Sequence, residues 1–277
     1  MNGTAAGTRI IGRDEAAALM DPLTDLVVKA GRAILAVNRR IMTVHGKDDG
    51  SPVTEADLAA DRIIADGLAQ IAPGVPVLSE ERVQAAKPPF RASFFLVDPL
   101  DGTKEFVAGR SEYTVNVALV TQASPLLGVI GAPGFGWLWR GLVGRGAERL
   151  QLSEAGLGAP EPIHTRGSPK RGEPWIAAVS RSHGDARTEA FIDARPGAVR
   201  AKLGSAVKFG RLAEGAADIY PRLGPTSEWD VAAGCAVVTA AGGKVTDADG
   251  RPLRFGERMD GFIVPAFIAW GDPTAVG

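Results

Sequence analysis

Cysteine is almost absent from the sequence, since Cys235 is the only one among 277 residues. An internal disulfide and a metal cluster of the cysteine type are therefore excluded. Cys235 itself lies in the apolar run Ala232–Val238, where we expect it to be a small buried side chain of a helix.

An excess of charge of one sign is also missing, because 31 basic and 32 acidic residues give a formal net charge of −1. No basic block stands out, which argues against nucleic acid or an anionic membrane as a partner. No apolar run approaches the roughly 20 residues that span a bilayer, and the start of the chain lacks the apolar core of a secretory signal. We therefore expect a cytoplasmic protein with no transmembrane segment, and peripheral association with the inner membrane stays open.

Length and composition indicate a globular chain with a sizeable core. With 45% hydrophobic and 23% charged residues, the chain suits one large domain or two tightly joined ones. Between residues 147 and 174 apolar periodicity fades while Gly, Pro, Glu and Arg accumulate, which is typical of a boundary. We predict an N-terminal α+β domain over residues 14–150 and a C-terminal α/β domain over residues 170–277.

Apolar spacing predicts where the main elements lie. A long amphipathic helix is expected over residues 14–44, and a second helix begins after Thr54 and ends near Ile71. Two short apolar strands follow, and each is succeeded closely by an acidic residue, Glu80 in one case and Asp98 in the other. Alternating strands and helices in the C-terminal half indicate an α/β layer.

The segment Asp98-Pro99-Leu100-Asp101-Gly102 carries the most informative chemical pattern. Pro99 fixes its own φ and biases Asp98 toward an extended conformation, and Gly102 permits a turn that is closed to other residues. Such a turn can aim the two carboxylates and the Leu100 carbonyl at one point. Mg²⁺ prefers oxygen ligands of this kind, and the free N–H groups of a helix that opens after Gly102 are typical of a phosphate site.

The aspartates also have structural alternatives. Asp-Pro-x-Asp-Gly is an ordinary polar turn in many proteins, and Asp230 at the start of an apolar helix could compensate the helix dipole or cap the helix. Asp57 follows Thr54 by three residues, which is the pattern of a capping box. Clustered carboxylates are tolerated mainly when a cation neutralises them, so their number favours a metal site.

Two longer motifs resemble those of a known family. LVDPLDGT at residues 96–103 and WDVAAG at residues 229–234 resemble the two signatures of the inositol monophosphatase superfamily. Glu80 and Asp57 occur in that family's order and approximate spacing. The resemblance covers roughly residues 20–265.

This resemblance implies an α/β fold, α+β in its N-terminal part and α/β in its C-terminal part, built as a layered αβαβα sandwich of the inositol monophosphatase and fructose-1,6-bisphosphatase type. It also implies a phosphomonoesterase that binds two to three Mg²⁺ ions and is inhibited by Li⁺. The implied metal ligands are Glu80, Asp98, the Leu100 carbonyl, Asp101 and Asp230. The implied catalytic residues are Asp57, Glu80 and Thr103, with Thr103 and Asp57 positioning and deprotonating the attacking water.

Within the superfamily, GTKEF at residues 102–106 and GSAVKF at residues 204–209 are similar to the 3′(2′),5′-bisphosphate nucleotidase branch (CysQ-type). Inositol monophosphatases more often have Asn in place of Glu105, and Ala206 departs from the branch, where many relatives carry a second serine. The branch implies hydrolysis of the 3′-phosphate of adenosine 3′,5′-bisphosphate, a small anionic substrate, in sulfur assimilation. The implied substrate-binding residues are Asp101, Gly102, Thr103, Lys104, His183, Ser205, Lys208 and Asp230.

Alternatives remain for these residues and for the whole protein. Ser205 could be a helix N-cap, Lys208 a solvated charge and His183 an exposed loop residue. For the protein, the alternatives are an inositol-1-phosphate or sugar phosphatase of the same superfamily, and a non-catalytic regulator that binds a metal or a ligand. Relatives vary between monomer and homodimer, so either state is expected.

Overall fold

The computed structural model describes residues 9–37, 39, 42, 44–46, 52–85, 89–182, 184–257 and 261–276. The α-helices within these ranges are α1 Arg13–Ala36, α2 Glu55–Ile71, α3 Thr103–Val107, α4 Ala186–Asp193, α5 Val207–Ala213 and α6 Glu228–Ala240. The strands are β1 Val44–Gly46, β2 Pro52–Thr54, β3 Val77–Ser79, β4 Ser93–Asp101, β5 Thr114–Thr121, β6 Ser124–Ala132, β7 Trp137–Leu142, β8 Gly146–Ser153, β9 Gly156–Leu157, β10 Glu161–Ile163, β11 Ile176–Ser180, β12 Val199–Leu203, β13 Ile219–Arg222, β14 Thr226–Ser227, β15 Lys244–Thr246, β16 Ile263–Val264 and β17 Phe267–Trp270. Short 3₁₀ segments cover Glu80–Ala85 and Pro273–Ala275.

The first sheet follows the order β10-β8-β7-β6-β5-β4-β3, and β9 pairs with β8. Its neighbouring strands are antiparallel except β3 and β4, which run parallel with Ser79 opposite Val97. The carboxyl ends of parallel neighbours meet at the same edge of a sheet. Glu80, directly after β3, therefore lies beside the end of β4, where Asp98 and Asp101 are found.

The second sheet follows the order β12-β11-β13-β17-β15. Strand β11 is parallel to both β12 and β13, whereas β17 is antiparallel to β13 and β15. The carboxyl ends of β11, β12 and β13 therefore share one edge, which carries Ser180, Ser205 and Arg222. This edge is where α/β sheets commonly bind ligands.

Alternate side chains of β4 belong to two different cores. Phe95 and Val97 pack in a cluster with α1 and α2, whereas Phe94 and Leu96 pack in a second cluster with α5, α6 and the second sheet. A third cluster joins Ile192 of α4 to the outer face of the second sheet. The layers are thus α1 and α2, the first sheet, α5 and α6, the second sheet, and α4. This α/β fold with αβαβα layering confirms the predicted fold class.

Helix α6 packs against the first sheet with almost no space between the two backbones. A β-carbon on Gly128 of β6 would lie 2.3 Å from the carbonyl oxygen of Ala233, and one on Gly141 of β7 would lie 3.0 Å from Val237 Cα. Glycine is required where two backbones approach so closely. These contacts fix the position of α6 and of Asp230 in its first turn.

The structure changes the predicted end of the first helix and bears on the predicted division into domains. Helix α1 ends at Ala36, well before residue 44, because Val37 adopts an extended backbone and β1 pairs with β2 beyond it. The first sheet includes β8 and β10 and so extends to Ile163, while one apolar cluster draws on both halves of the chain. The division into domains at residues 150–170 stays a prediction.

Among the described residues, no helix combines the length and apolarity that crossing a bilayer requires.

Candidate active site

The end of β4 carries the two carboxylates of the predicted turn. The register with β5 shifts between the Asp98–Asn116 pair and the Asp101–Thr114 pair, so β4 holds one residue more than β5 over this stretch, as in a β-bulge. The Leu100 N–H donates to Asp98 Oδ1 at 3.1 Å. This local geometry places Asp98, Leu100 and Asp101 in the wall of one cavity of about 230 Å³.

Gly102 turns the chain from β4 into α3. Its φ of 90° is a left-handed conformation that glycine adopts without steric cost. Close neighbours add a second requirement, because a β-carbon here would lie 3.3 Å from the Glu112 carbonyl oxygen and 3.3 Å from Ser205 Cβ. Thr103 and Lys104 then open α3 in the same cavity wall, Lys104 with an exposed side chain.

Asp57 supports Thr103 from the start of α2. Asp57 Oδ2 accepts the Thr54 N–H at 2.7 Å and the Thr54 hydroxyl at 2.6 Å, which confirms the predicted capping box. The other oxygen, Oδ1, accepts the Thr103 hydroxyl at 2.9 Å, and that hydroxyl also lies 3.1 Å from the Leu100 carbonyl oxygen. The buried Asp57 carboxylate therefore caps α2 and holds Thr103 at the same time, so the structural and the functional interpretation are compatible.

Asp230 reaches the cavity from the first turn of α6. Its Oδ2 accepts the Thr226 hydroxyl and the Ser227 N–H, the latter at 3.3 Å. The capping alternative therefore describes part of its role. Asp230 also lies in the cavity wall with Glu80 and the residues of the β4 turn, so the structure brings together every residue predicted as a metal ligand.

The proximity of these carboxylates changes their acidity. Burial raises the pKa of Asp98 well above its usual range, and the negative charges of Glu80, Asp101, Asp230 and Asp57 raise it further. Burial, followed by the charge of Asp101, raises the pKa of Asp230 to about 6. A bound cation relieves repulsion of this kind.

The donor set fits a hard divalent cation such as Mg²⁺, because it offers carboxylates and a main-chain carbonyl rather than sulfur or nitrogen. Across the described part of the chain, no three His, Cys, Asp or Glu side chains are arranged as a ready-made metal centre. The carboxylates accept hydrogen bonds from the protein instead: Asp101 Oδ2 lies 3.4 Å from both the Thr114 hydroxyl and the Asn116 amide, and Asp98 accepts from Leu100. A cation would share or displace these donors. The assignment of individual ligands stays a prediction.

A second wall of the cavity, formed by α5 and the second sheet, is cationic. Lys208 is 2% exposed, its Nζ donates to the Ser205 carbonyl oxygen at 2.6 Å, and burial lowers its pKa to about 8. The alternative of a solvated surface charge is therefore wrong for Lys208. Arg222, at the end of β13, lies in the same wall and donates to the Pro225 carbonyl oxygen at 3.2 Å.

Ser205 occupies the turn between β12 and α5 with a φ of 52°, a left-handed conformation that is costly for a residue with a side chain. Its Oγ accepts the Ala206 N–H at 2.7 Å and lies 2.5 Å from Thr114 Oγ1. The N-cap position of α5 belongs to Ala206, with no capping side chain. The N-cap alternative is therefore wrong for Ser205, which instead links this turn to β5.

The cavity wall also includes residues that were not predicted as site residues, among them Tyr220 and Thr226. The signal that could have indicated Tyr220 is its place in β13, a strand of the C-terminal α/β layer, because the carboxyl edge of such a layer is a usual binding edge. Thr226 lies in the separate pair of β14 and β16, and no comparable signal marks it. The predicted contact of His183 lies outside the described residues.

Fold and cavity together define a class of protein: a layered α/β enzyme in which carboxylates from several elements line one cavity together with basic side chains. A family model described as the inositol monophosphatase family matches residues 17–270. The chain belongs to the inositol monophosphatase family.

Individual relatives agree with this membership. The chain is similar to a protein of Shigella flexneri named 3′(2′),5′-bisphosphate nucleotidase CysQ, with 39% identity over 257 residues, 90% of this chain and 98% of the relative. The Salmonella typhimurium protein of the same name is 37% identical over 252 residues, again 90% and 98% of the two chains. Among solved structures, CysQ from Bacteroides thetaiotaomicron, a bacterial member of the inositol monophosphatase family, has a TM-score of 0.75 and 34% identity, covering 91% of this chain and 97% of that one. The family predicted from the two signatures is confirmed, and so is the prediction of an enzyme of the phosphatase class.

Proposed function

We propose that this protein is a Mg²⁺-dependent 3′(2′),5′-bisphosphate nucleotidase that hydrolyses the 3′-phosphate of adenosine 3′,5′-bisphosphate to AMP and phosphate. One observation carries the proposal: a single cavity joins the predicted metal ligands to a wall that contains Lys208 and Arg222. A bisphosphate matches this layout, because one phosphate can meet the metals while the other needs cationic donors. The names of the CysQ relatives support the same substrate. Such an enzyme would remove a by-product of sulfate activation, which places it in sulfur metabolism.

The residues that line the cavity support our assignment of the metal ligands. We assign Glu80, Asp98 and the Leu100 carbonyl to a first Mg²⁺, Asp98, Asp101 and Asp230 to a second, and Glu80 to a third. When bound, these ions offset phosphate charge and lower the pKa of the attacking water. Burial and acidic neighbours raise the pKa of Asp98. A raised pKa is expected of a carboxylate whose charge is neutralised by a bound cation.

We assign Thr103 and Asp57 to the removal of a proton from the attacking water. Because Thr103 donates its own hydroxyl hydrogen to Asp57 at 2.9 Å, its oxygen keeps a lone pair that can accept a proton from water. One proton then moves from water to Thr103 while another moves from Thr103 to Asp57. The water oxygen bonds to phosphorus as the bond from phosphorus to the 3′ oxygen breaks in line, and the 3′ oxygen takes up a proton from solvent water.

Ser205, Lys208 and Arg222 are assigned to the second phosphate. Lys208 is held by the Ser205 carbonyl oxygen and, with a pKa of about 8, it is largely protonated at neutral pH. Lys104, at the start of α3, is assigned to the phosphate that is cleaved, together with Asp101, Gly102, Thr103 and Asp230. His183 remains a predicted contact.

The test is phosphate release by the purified chain with Mg²⁺. Adenosine 3′,5′-bisphosphate and inositol 1-phosphate are compared side by side, with and without Li⁺. We expect kcat/KM to favour the nucleotide by roughly a hundredfold, about 2.7 kcal/mol, and Li⁺ to inhibit turnover. Preference for inositol phosphate would overturn the substrate assignment and establish the alternative phosphatase. No release from either ester, with Mg²⁺ still binding, would favour the non-catalytic regulator.

A further inference from the structure

Glu105 lies in the cavity wall, but its carboxylate is held by other side chains of the protein. The side chain is 6% exposed and lies 3.9 Å from Arg110 Nη1. It accepts a hydrogen bond from the Ser182 hydroxyl, and its Cγ would lie 3.2 Å from a β-carbon on Gly204. A carboxylate close to an anion subsite opposes anion binding by charge. Its position is therefore explained by what it holds rather than by contact with substrate.

Glu112 makes a second connection to the same region. Arg181 donates through Nε and Nη2 to the two oxygens of Glu112, at 2.8 Å each. Glu112 Oε2 also accepts the Gly204 N–H at 3.2 Å. Arg181 continues the connection, since its Nη2 donates to the Lys202 carbonyl oxygen at 2.9 Å and its N–H to that of Leu203 at 3.1 Å. The end of β12 is thereby tied from two sides.

These contacts join parts of the chain that are far apart in sequence. We name the four side chains that make them the carboxylate brace: Glu105, Glu112, Arg181 and Ser182. Its two acids come from α3 and from the loop between α3 and β5 in the first half, and its two donors follow β11 in the second half. Between them lies the turn that presents Ser205 and leads to Lys208.

We propose that the carboxylate brace is a positioning device that sets the preference for substrates with a second phosphate, by holding the turn at Gly204 and Ser205 against α3. The proposal rests on the proposed function. Ser205 has a left-handed backbone, with φ 52°, which persists only where surrounding contacts impose it. The Gly204 N–H bond to Glu112 lies directly before that residue, and the Ser182 bond to Glu105 holds the neighbouring segment. A looser turn would weaken binding of the second phosphate and leave the chemistry at Thr103 unchanged.

The experiment is steady-state kinetics of the full chain with Mg²⁺ on two esters. One is adenosine 3′,5′-bisphosphate, and the other is p-nitrophenyl phosphate, which has no second phosphate. The variants are Glu105→Ala, Glu105→Gln, Ser182→Ala and Glu112→Gln. Two matched controls lie outside the cavity wall. Glu214→Gln changes a buried carboxylate that accepts from Trp139 at 3.0 Å, and Glu257→Gln changes a carboxylate that is bidentate to Arg254 at 2.8 and 3.2 Å.

For Glu105→Ala, Ser182→Ala and Glu112→Gln we expect KM for the bisphosphate to rise about tenfold, the scale of one lost hydrogen bond. We expect kcat, and both constants for p-nitrophenyl phosphate, to stay within about threefold of the wild-type values. The Gln side chain of Glu105→Gln can still accept the hydrogen bond from Ser182. Its KM for the bisphosphate should therefore stay close to the wild-type value. Glu105→Ala combined with Ser182→Ala should cost no more than either change alone.

Unchanged KM in the brace variants, an equal rise for both esters, or the same rise in the controls would overturn the proposal. Failure of the proposed function looks different, because it appears in the wild-type chain as absent preference for the bisphosphate over inositol 1-phosphate. In that case the brace proposal is rejected together with the proposed function, whereas a wild-type preference for the bisphosphate with unchanged KM in the brace variants rejects the brace alone.

Discussion

Raising the pH should stabilise the wild-type protein relative to a Lys208→Met variant. Burial lowers the pKa of Lys208 from 10.5 to about 8, against the attraction of Asp101, Glu105 and Asp230 and with the repulsion of Arg222. Because the pKa in the folded state is below that in the unfolded state, the folded protein binds fewer protons between pH 8 and pH 10.5. Stability rises with pH wherever the unfolded state binds more protons. The cost of the buried charge is therefore complete below pH 8 and disappears as the pH approaches 10.5.

The magnitude follows from the size of the shift. A pKa lowered from 10.5 to about 8 corresponds to about 3 kcal/mol at pH 7 and to about 1 kcal/mol at pH 9.5 by linkage. The difference in unfolding free energy between wild type and Lys208→Met should therefore move by about 2 kcal/mol in favour of the wild type over this range.

The assay is urea denaturation of both proteins at pH 7 and pH 9.5 without Mg²⁺, with m values compared to verify that the two unfold alike. Lys202→Met, the same change at an exposed lysine, controls for general effects of pH on unfolding. A difference between wild type and Lys208→Met that does not depend on pH, or one that moves against the wild type as the pH rises, would refute the reasoning. At pH 7 the variant should also show a raised KM for adenosine 3′,5′-bisphosphate.

Three further changes test the acidic wall and the turn. Asp98→Asn should abolish turnover and the rise of Tm on adding Mg²⁺, with circular dichroism unchanged; retained activity would contradict the metal assignment. Thr103→Ala should lower kcat by about 10²- to 10⁴-fold with little change in KM, whereas Thr103→Ser should stay near wild type; equal losses in both would argue against a role for the hydroxyl. Gly102→Ala, at φ 90° with two contacts at 3.3 Å, should cost about 1–3 kcal/mol of stability by urea denaturation. Gly74→Ala, at φ 79° with no atom within 4 Å, should cost less, and an equal cost would show that the contacts do not matter.

Helix positions could be predicted where a local signal marks them. The predicted N-cap Thr54 of α2 is confirmed, and it could be predicted because the capping box with Asp57 is contained in four consecutive residues. The predicted end near Ile71 is confirmed as well. The end of α1 had no such marker. Apolar spacing continues to Val44, so only the extended backbone at Val37 in the structure shows that the helix stops earlier.

The acidic side of the site was accessible to sequence reasoning, and the cationic side was less so. Asp98 and Asp101 lie three residues apart in a recognisable motif, and Glu80 directly follows the parallel neighbour of their strand. The burial of Lys208 and the approach of Arg222 depend instead on how α5 and β13 pack in the second sheet. Such packing depends on contacts between segments distant in sequence, which local patterns do not report.

The seating of α6 on Gly128 and Gly141 has a consequence for the synthesis of the chain. Strands β5, β6 and β7 leave the ribosome before the helix that covers them, since β7 ends at residue 142 and α6 ends at residue 240, a difference of 98 residues. At translation rates of about 5 to 20 residues per second, the interval is about 5 to 20 seconds. During that time we expect the strands to expose the apolar face that α6 later covers, and a chaperone can bind this face until the helix is synthesised.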